Sequence, residues 1–374
     1  MTSARDIDVA VAGGGLVGAA IAYGLARCGK RVTLFDEGDV AFRAARGNFG
    51  LVWVQSKGDG MPEYAAWTRR SSDLWLELAP MLKDETGIDV GHSRPGGVHV
   101  CLDEAELDER RDFMRRLHNQ TGGAFNYEIL DRTGVAGMLP DIGPEVVGGS
   151  YCPLDGHASP LHLLRALMAA LQKRGGRYLP KHRIATISAR SGGGFRIEAA
   201  GRTFEASRIV LAAGHGNTDL ASLLGLIAPV KPLRGQIMVT ERTGRFLDMP
   251  TTTVRQTVEG SVLLGDSHED VGFDDGTRPD IMQEIARRAV RVFPRLAGLR
   301  IVRAWGALRV MSPDGFPIYE ESGDCTGAFL ATCHSGVTLA GAHALALAPH
   351  IAAGKLPAEF AAFGSARLSR PVVA

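Results

Sequence analysis

Apolar positions in the first 37 residues fall into three blocks. IDVAVA at 7–12 is a short continuous apolar run, and GGGLVG at 13–18 breaks it. A pattern of helical period follows through Leu25, and RVTLFDE at 31–37 resumes as a second extended run. Continuous runs of this length between Gly-rich turns read as buried strands, so the segment predicts strand, Gly-turn, helix, strand: a βαβ unit.

Further along, 63–83 (EYAAWTRRSSDLWLELAPMLK) carries Trp67, Leu74, Leu78 and Leu82 near helical spacing, and 103–118 is a charged helix with Leu107, Phe113, Met114 and Leu117 on its apolar face. Ser159-Pro160 opens another helix, with Ser as N-cap, Pro in the first turn and a Gly stop after LHLLRALMAALQKR. β-like runs occupy 183–189, 194–200 and 203–214. From residue 230 the chain stays β-rich (230–241, 251–267, 300–319), interrupted by a helix at 280–294. The segment 331–354 has 24 residues without Asp, Glu, Lys or Arg. Its helical part, 337–351, is shorter than the roughly 20 residues a membrane span needs, so it is expected as a helix packed inside the protein behind a strand at 329–332 and a turn at 333–336.

Composition narrows the partners. With 42 Lys plus Arg against 41 Asp plus Glu, the chain has no global basic field to collect nucleic acid or anionic lipid. Its five cysteines include no CxxC pair, which points to reduced thiols in a cytoplasmic protein, and no metal-ligand spacing appears. The N-terminus lacks the plan of a secretory signal. At 374 residues, two domains are expected, interleaved because no linker separates them.

Gly13, Gly15 and Gly18 spell GxGxxG. With 47 glycines in the chain, about one such match arises by chance, so the context carries the inference. Here the glycines follow a strand, open a helix, and precede Asp36 at the end of the next strand. Gly13 permits the tight turn, Gly15 admits a pyrophosphate to the backbone, and Gly18 lets helix and strand pack closely. The helix N-terminus, with Leu16 and Val17, offers free N–H groups and partial positive charge to phosphate. Asp36 accepts from an adenosine ribose, and an acid there argues against a 2′-phosphate. NAD and FAD both remain open at this point.

Three further segments resemble the FAD-dependent D-amino-acid oxidase superfamily of glycine and sarcosine oxidases: ARGNFGLV at 45–52, RIVLAAG at 208–214, and GALR at 306–309 through PDG at 313–315 to HSGVTL at 334–339. Within it, GLVW at 50–53, the 63–83 helix, RQT at 255–257, GDS at 265–267 and TCHSGVT at 332–338 look most like the smaller catalytic (beta) subunits of heteromeric opine (octopine or nopaline) dehydrogenase, D-hydroxyproline dehydrogenase and hydrogen cyanide synthase.

The resemblance implies an α/β fold of glutathione-reductase type, with a Rossmann-like FAD-binding domain (1–86, 148–225, 306–374) interleaved with a β-rich α+β substrate domain (87–147, 226–305). Besides Gly13, Gly15, Leu16, Val17, Gly18 and Asp36, it places Glu37, Arg43, Arg46, Gly47, Asn48, Gly50, Leu51, Ala213, Gly214, Arg309, His334, Ser335, Gly336, Val337 and Thr338 along FAD. Arg309 matches the arginine that holds the substrate carboxylate, a role suited to a forked donor. His334 joins it as a catalytic residue, and Arg255 is a candidate for a second anionic group in the same pocket. Trp53, His268 and Trp305 are candidate lining residues.

The implied reaction is hydride transfer from an amine's Cα–H to flavin N5, giving an imine that water hydrolyses. The helix beginning near Gly336 would stabilise negative charge on the reduced flavin. The segment 307–314 lacks the cysteine to which some sarcosine oxidases attach flavin, so non-covalent FAD is expected. The implied partner is a larger alpha subunit with further electron carriers (FAD or FMN, iron–sulfur), an FMN lying at the interface. Peripheral attachment to the inner membrane would come only through such partners. The alternatives are a stand-alone glycine, sarcosine or D-amino-acid oxidase using oxygen, and a non-catalytic FAD-binding subunit.

Overall fold

The computed structural model describes residues 7–38, 44, 45 and 47–369. Arg43 and Arg46 lie outside the described residues.

The expected βαβ unit forms from Ile7–Ala12, the Leu16–Arg27 helix and Val32–Phe35. Its strands are continuous apolar runs because the sheet is covered on both faces. Ile7–Ala12 pairs in parallel with Val32–Phe35 on one side and Arg202–Leu211 on the other, and Arg202–Leu211 pairs in parallel with Ala328–Thr332. Arg177–Leu179 and Ile318–Glu321 form the two edges, and the Phe195–Ala199 and Ile184–Ala189 strands extend the sheet from Arg202–Leu211 to eight strands.

Register decides what these strands can build. Ala12 stands opposite both Phe35 and Leu211, and Leu211 opposite Leu330, so four parallel strands end at one level. Whatever follows those residues, namely the Gly13 turn, Asp36, Ala212–Gly214 and 331–336, is gathered along one edge, the carboxyl side where α/β sheets bind ligands.

Two helices cover one face of this sheet. Ten of the twelve residues of Leu16–Arg27 are buried, and it crosses the C-terminal helix so closely that a Cβ on Gly24 would lie 2.2 Å from the Ala344 carbonyl oxygen. The C-terminal helix differs in detail from expectation. Residues 336–339 form turns, and the regular helix begins at Ala340 and runs through 353, with a π-helical segment at His343–Leu347. Pro349 supplies no N–H to the carbonyl four residues back, which falls inside that segment, so the wider turn accommodates a proline that would break an ordinary helix. No helix among the described residues is long and apolar enough to cross a membrane.

The second layer is antiparallel. Val254–Gln256, Ser261–Leu264, Lys231–Arg242 and Ile301–Met311 form a four-stranded sheet in that order. Gly97–Cys101, Gly148–Cys152 and Glu128–Asp131 form a three-stranded one. A single core joins the two sheets with the Pro279–Val292 helix through Val98, Val100, Met238, Val254, Ile285 and Phe293. The strands at 128–131 and 148–152 and the short Arg132–Met138 helix were not anticipated: the first has only two apolar residues between acids, and glycines interrupt the apolar pattern of the other two. Gly149 is required by packing: a Cβ there would lie 2.3 Å from the His99 carbonyl oxygen.

Candidate active site

A cavity of about 840 Å³ runs along the carboxyl ends of the four parallel strands. On the Val32–Phe35 side its walls include Asp36, Glu37, His182 and Arg183; on the Ala328–Thr332 side they include Thr332, His334, Gly336 and Asn48. Ala213 and Gly214 line it between them.

The three glycines of the turn differ in their surroundings. Gly13 adopts φ +102° and donates to the Phe35 carbonyl at 2.8 Å; an added Cβ would meet the Ala212 oxygen at 2.3 Å. A Cβ on Gly18 would lie 1.9 Å from the Gly13 oxygen, so Gly18 serves packing and does not line the cavity. Gly15 meets no protein atom within 4 Å of an added Cβ, and the space it leaves opens on the cavity. No side chain caps the helix that starts there, and its N-terminal turn, with Leu16 and Val17, faces the same space. Asp36 is held in place by its own backbone surroundings: one carboxylate oxygen accepts from Gly14 N–H and the other from Gly38 N–H, each at 2.8 Å.

Beside the helix start, with Gly336 against Leu16 and Val17, the turn 336–339 is oriented from behind. Ser71 donates to the Thr338 carbonyl at 2.7 Å, and Trp75 Nε1 donates to the Val337 carbonyl at 3.0 Å, so the Pro62–Thr86 helix claims the carbonyl side of the turn. The N–H groups of Gly336, Val337 and Thr338 have no acceptor among the described residues. Ser335 accepts from Tyr64 OH at 3.0 Å, and Thr338 Oγ1 donates to the Leu51 carbonyl while accepting from Trp53 N–H. The Thr332 hydroxyl is buried without a partner and lines the cavity. Unpaired donors in both turns, an open glycine cradle and a length spanning four strands fit a long dinucleotide cofactor such as FAD.

The loop at 47–50 is pressed against the second layer. A Cβ on Gly47 would meet Ala307 Cβ at 2.2 Å and Trp305 Nε1 at 3.1 Å. Asn48 Oδ1 accepts from Gly50 N–H at 2.8 Å, closing a turn in which Gly50 takes φ +94°.

Arg309, on Ile301–Met311, donates from Nη1 to the Ser267 carbonyl at 2.8 Å and from Nη2 to the Asp266 carboxylate. Its fork is therefore engaged by the chain's own 266–267 segment. Two groups stand close by. His268 is exposed, and its pKa is lowered by the desolvation it does undergo and then by the Arg309 charge. His334 is held well below its ordinary value by burial, Lys57 and Arg309, so it is neutral.

Lys57 was missed by sequence reasoning, which stopped at Trp53. Its Nζ lies 3.0 Å from His334 Nε2. Burial pushes its amine down to about 8. A lysine closing the apolar run GLVWVQS was the available signal.

Trp53 and Arg255 are not where they were expected. Trp53 is buried in the interior, its ring against Gly97, and lines neither cavity. Arg255, 4% exposed, donates from Nε to the Phe49 carbonyl at 2.9 Å and borders a second cavity of about 390 Å³ with His92, His157, His162 and Arg245. The Phe49–Gly50 backbone stands against the guanidinium, whose Nη2 would be 2.9 Å from a Cβ on Gly50. Arg255 therefore does not share Arg309's pocket. No carboxylate pairs with it among the described residues, and burial lowers its pKa to about 10.

These features define an FAD-dependent oxidoreductase, and residues 8–349 match the family model "DAO: FAD dependent oxidoreductase", to which the chain belongs. It is 44% identical to an opine oxidase subunit of Agrobacterium tumefaciens (strain Ach5), over 97% of this chain and 98% of that protein, and 42% identical to its counterpart from Rhizobium meliloti over the same shares. Among solved structures it resembles glycine oxidase from Bacillus cereus ATCC 14579, with a TM-score of 0.86 at 21% identity, covering 98% of this chain and all of that one. The glycine oxidase likeness concerns the fold.

Proposed function

We propose that this chain is the amine-oxidising subunit of a heteromeric opine dehydrogenase, acting on the C–N bond of a carboxylate-bearing secondary amine. The observation that carries the reading is 44% identity to an opine oxidase subunit along essentially the full length of both proteins. FAD, bound non-covalently, supplies the acceptor for the hydride leaving the substrate Cα. The Gly13 turn and the Leu16–Arg27 N-terminus would hold its phosphates, and the N–H groups of 336–338, which lack acceptors among the described residues, would stabilise negative charge on it. Arg309 takes the substrate carboxylate in exchange for Asp266. His334, neutral and fixed, walls the site against water.

The electrons then pass to a larger subunit with its own carriers. An FMN at that interface would lie in the second cavity: Arg255 and Arg245 would take its phosphate in a lining that also holds Asp89 and Glu259, and Val258, 70% exposed, flanks it as a surface for a covering subunit.

The test is an anaerobic screen for flavin bleaching across opines, D-amino acids, N-methyl amino acids and prolines. Hydrogen peroxide and dye reduction are then measured side by side, with and without the larger subunit. Bleaching by octopine or nopaline with dye reduction is expected. Strong peroxide production by the isolated chain would overturn the dehydrogenase reading in favour of an oxidase.

A further inference from the structure

Five side chains from four parts of the chain act on one another beside the main cavity: Lys57 after the Leu51–Val52 strand, Asp266 and His268 on the 265–277 loop, Arg309 on the long strand, and His334 in the C-terminal turn. Four of them are accounted for. Arg309 and Asp266 pair, and His268 and His334 are neutral rings. Lys57 has no assigned task.

Its setting is unusual for a lysine. The chain has only seven, and this one, partly buried, has no carboxylate within ion-pair distance among the described residues. The nearest partner of Nζ is the Nε2 of a neutral imidazole, which accepts a proton in a hydrogen bond but brings no charge. An ammonium drawn partly out of water beside a neutral imidazole is costly, whereas an amine there is not. Among the groups facing Lys57, Arg309 favours the free amine, and the Cys333 thiol, Asp266 and Asp155 oppose it without cancelling the effect of burial.

We infer that Lys57 is a catalytic residue of this site: its free amine takes the proton that the substrate's ammonium must shed before the Cα–H bond can break as hydride. The inference rests on the amine-oxidation reading above. The step balances simply. The substrate's R2NH2+ gives one proton to the Lys57 lone pair, leaving R2NH with the nitrogen lone pair that expels hydride from Cα, and Lys57 as an ammonium that returns its proton to water after product departs. His334 orients the amine by accepting one of its N–H bonds, which leaves the lone pair directed elsewhere. Arg309, on the same side, anchors the carboxylate of the same substrate and so sets its nitrogen within the cluster.

The experiment uses the FAD-loaded protein and two variants, Lys57→Met and Lys57→Arg. With octopine or nopaline, kcat/KM of the unmodified protein rises through an apparent pKa near 8, and Lys57→Met loses about a hundredfold with that limb abolished. Lys57→Arg is expected to be as poor, since a guanidinium retains its charge but does not release a proton. Methylamine added to Lys57→Met restores part of the rate. Flavin content and melting temperature of both variants report folding separately. NMR titration of the lysine side chains, with Lys57 assigned by its absence in the arginine variant, requires no substrate and so answers for Lys57 even where no opine reduces the flavin. An Nζ titrating like an exposed lysine, or an arginine variant within about threefold of full activity, overturns the inference and assigns Lys57 the role of a fixed charge.

Discussion

Replacement of Asp266 by Asn tests whether the chain's own carboxylate occupies the place of the substrate's. Arg309 Nη2 is bonded to Asp266, and the two side chains are 22% and 33% exposed. A hydrogen bond between charged groups contributes about 1.5–3 kcal/mol when well desolvated. Solvent screening at this degree of exposure reduces it to roughly 1 kcal/mol. An incoming substrate carboxylate must offset that amount to take over the guanidinium, so removal of the competing charge strengthens binding by about fivefold. The loop itself has other attachments: Arg234 pairs with Glu269 at 2.7 Å, and Ser267 Oγ donates to Glu269 at 2.6 Å and accepts from Gln236 N–H at 3.0 Å. The Asn side chain has the same shape, so the loop keeps its course. The assay is steady-state kinetics with nopaline, together with the Kd of pyruvate as a simple carboxylate, read from the perturbed flavin absorbance. A KM and a Kd several-fold lower, with kcat within twofold, are expected. An unchanged or raised KM would show that Asp266 positions the substrate and does not compete with it.

Gly15→Val and Gly18→Ala separate cofactor binding from folding. The first projects only into the open cavity and is expected to leave the melting temperature of the flavin-free protein unchanged while weakening FAD binding at least tenfold by fluorescence titration. The second drives a methyl into the Gly13 carbonyl and is expected to destabilise the flavin-free protein by about 1–3 kcal/mol in urea unfolding. Arg255→Met removes a buried cation without a carboxylate partner; the isolated chain should gain stability, by about 1–3 kcal/mol, while losing affinity for the larger subunit or for FMN, measured by calorimetry. Glu269 responds to acid. Burial raises its pKa, but hydrogen bonds from Arg234, Ser267 and Gln236 outweigh this and hold it at about 2. Because that value is depressed relative to the unfolded chain, its contribution is complete above about pH 4.5 and disappears as pH falls toward 2; it amounts to at most ~3 kcal/mol. Glu269→Gln should be less stable at pH 7 and show a flatter stability profile across that window by thermal melts.

Local chemistry was legible wherever one short segment does the whole task. Gly13, Gly15, Gly18 and Asp36 mark a single βαβ unit, and the C-terminal stretch reads as a buried helix from its small side chains alone. What stayed hidden depends on partners distant in the chain. Lys57 meets His334 across 277 positions and Arg309 meets Asp266 across 43, and no periodicity encodes either meeting. Arg255 shows the same limit from another direction: its strand was evident, but which cavity its side chain faces is decided by the Phe49–Gly50 backbone lying against it. The start of the last helix was displaced from Val337 to Ala340 because Ser71 and Trp75, on another helix, draw the intervening carbonyls to themselves.

The contact between Gly24 and Ala344 joins two helices whose leading ends stand side by side at the cavity, Gly336 against Leu16 and Val17. With backbone against backbone there is no side-chain cushion, so these helices act as one clamped pair and the offset between their leading ends is a constant of the molecule. Arg309, Asp266 and His268 belong to the other sheet and its loop and stand outside that frame. New amines can therefore be admitted by rewriting one layer while the gauge that measures the cofactor is left undisturbed, which allows a single scaffold to diversify its chemistry without recalibrating its flavin.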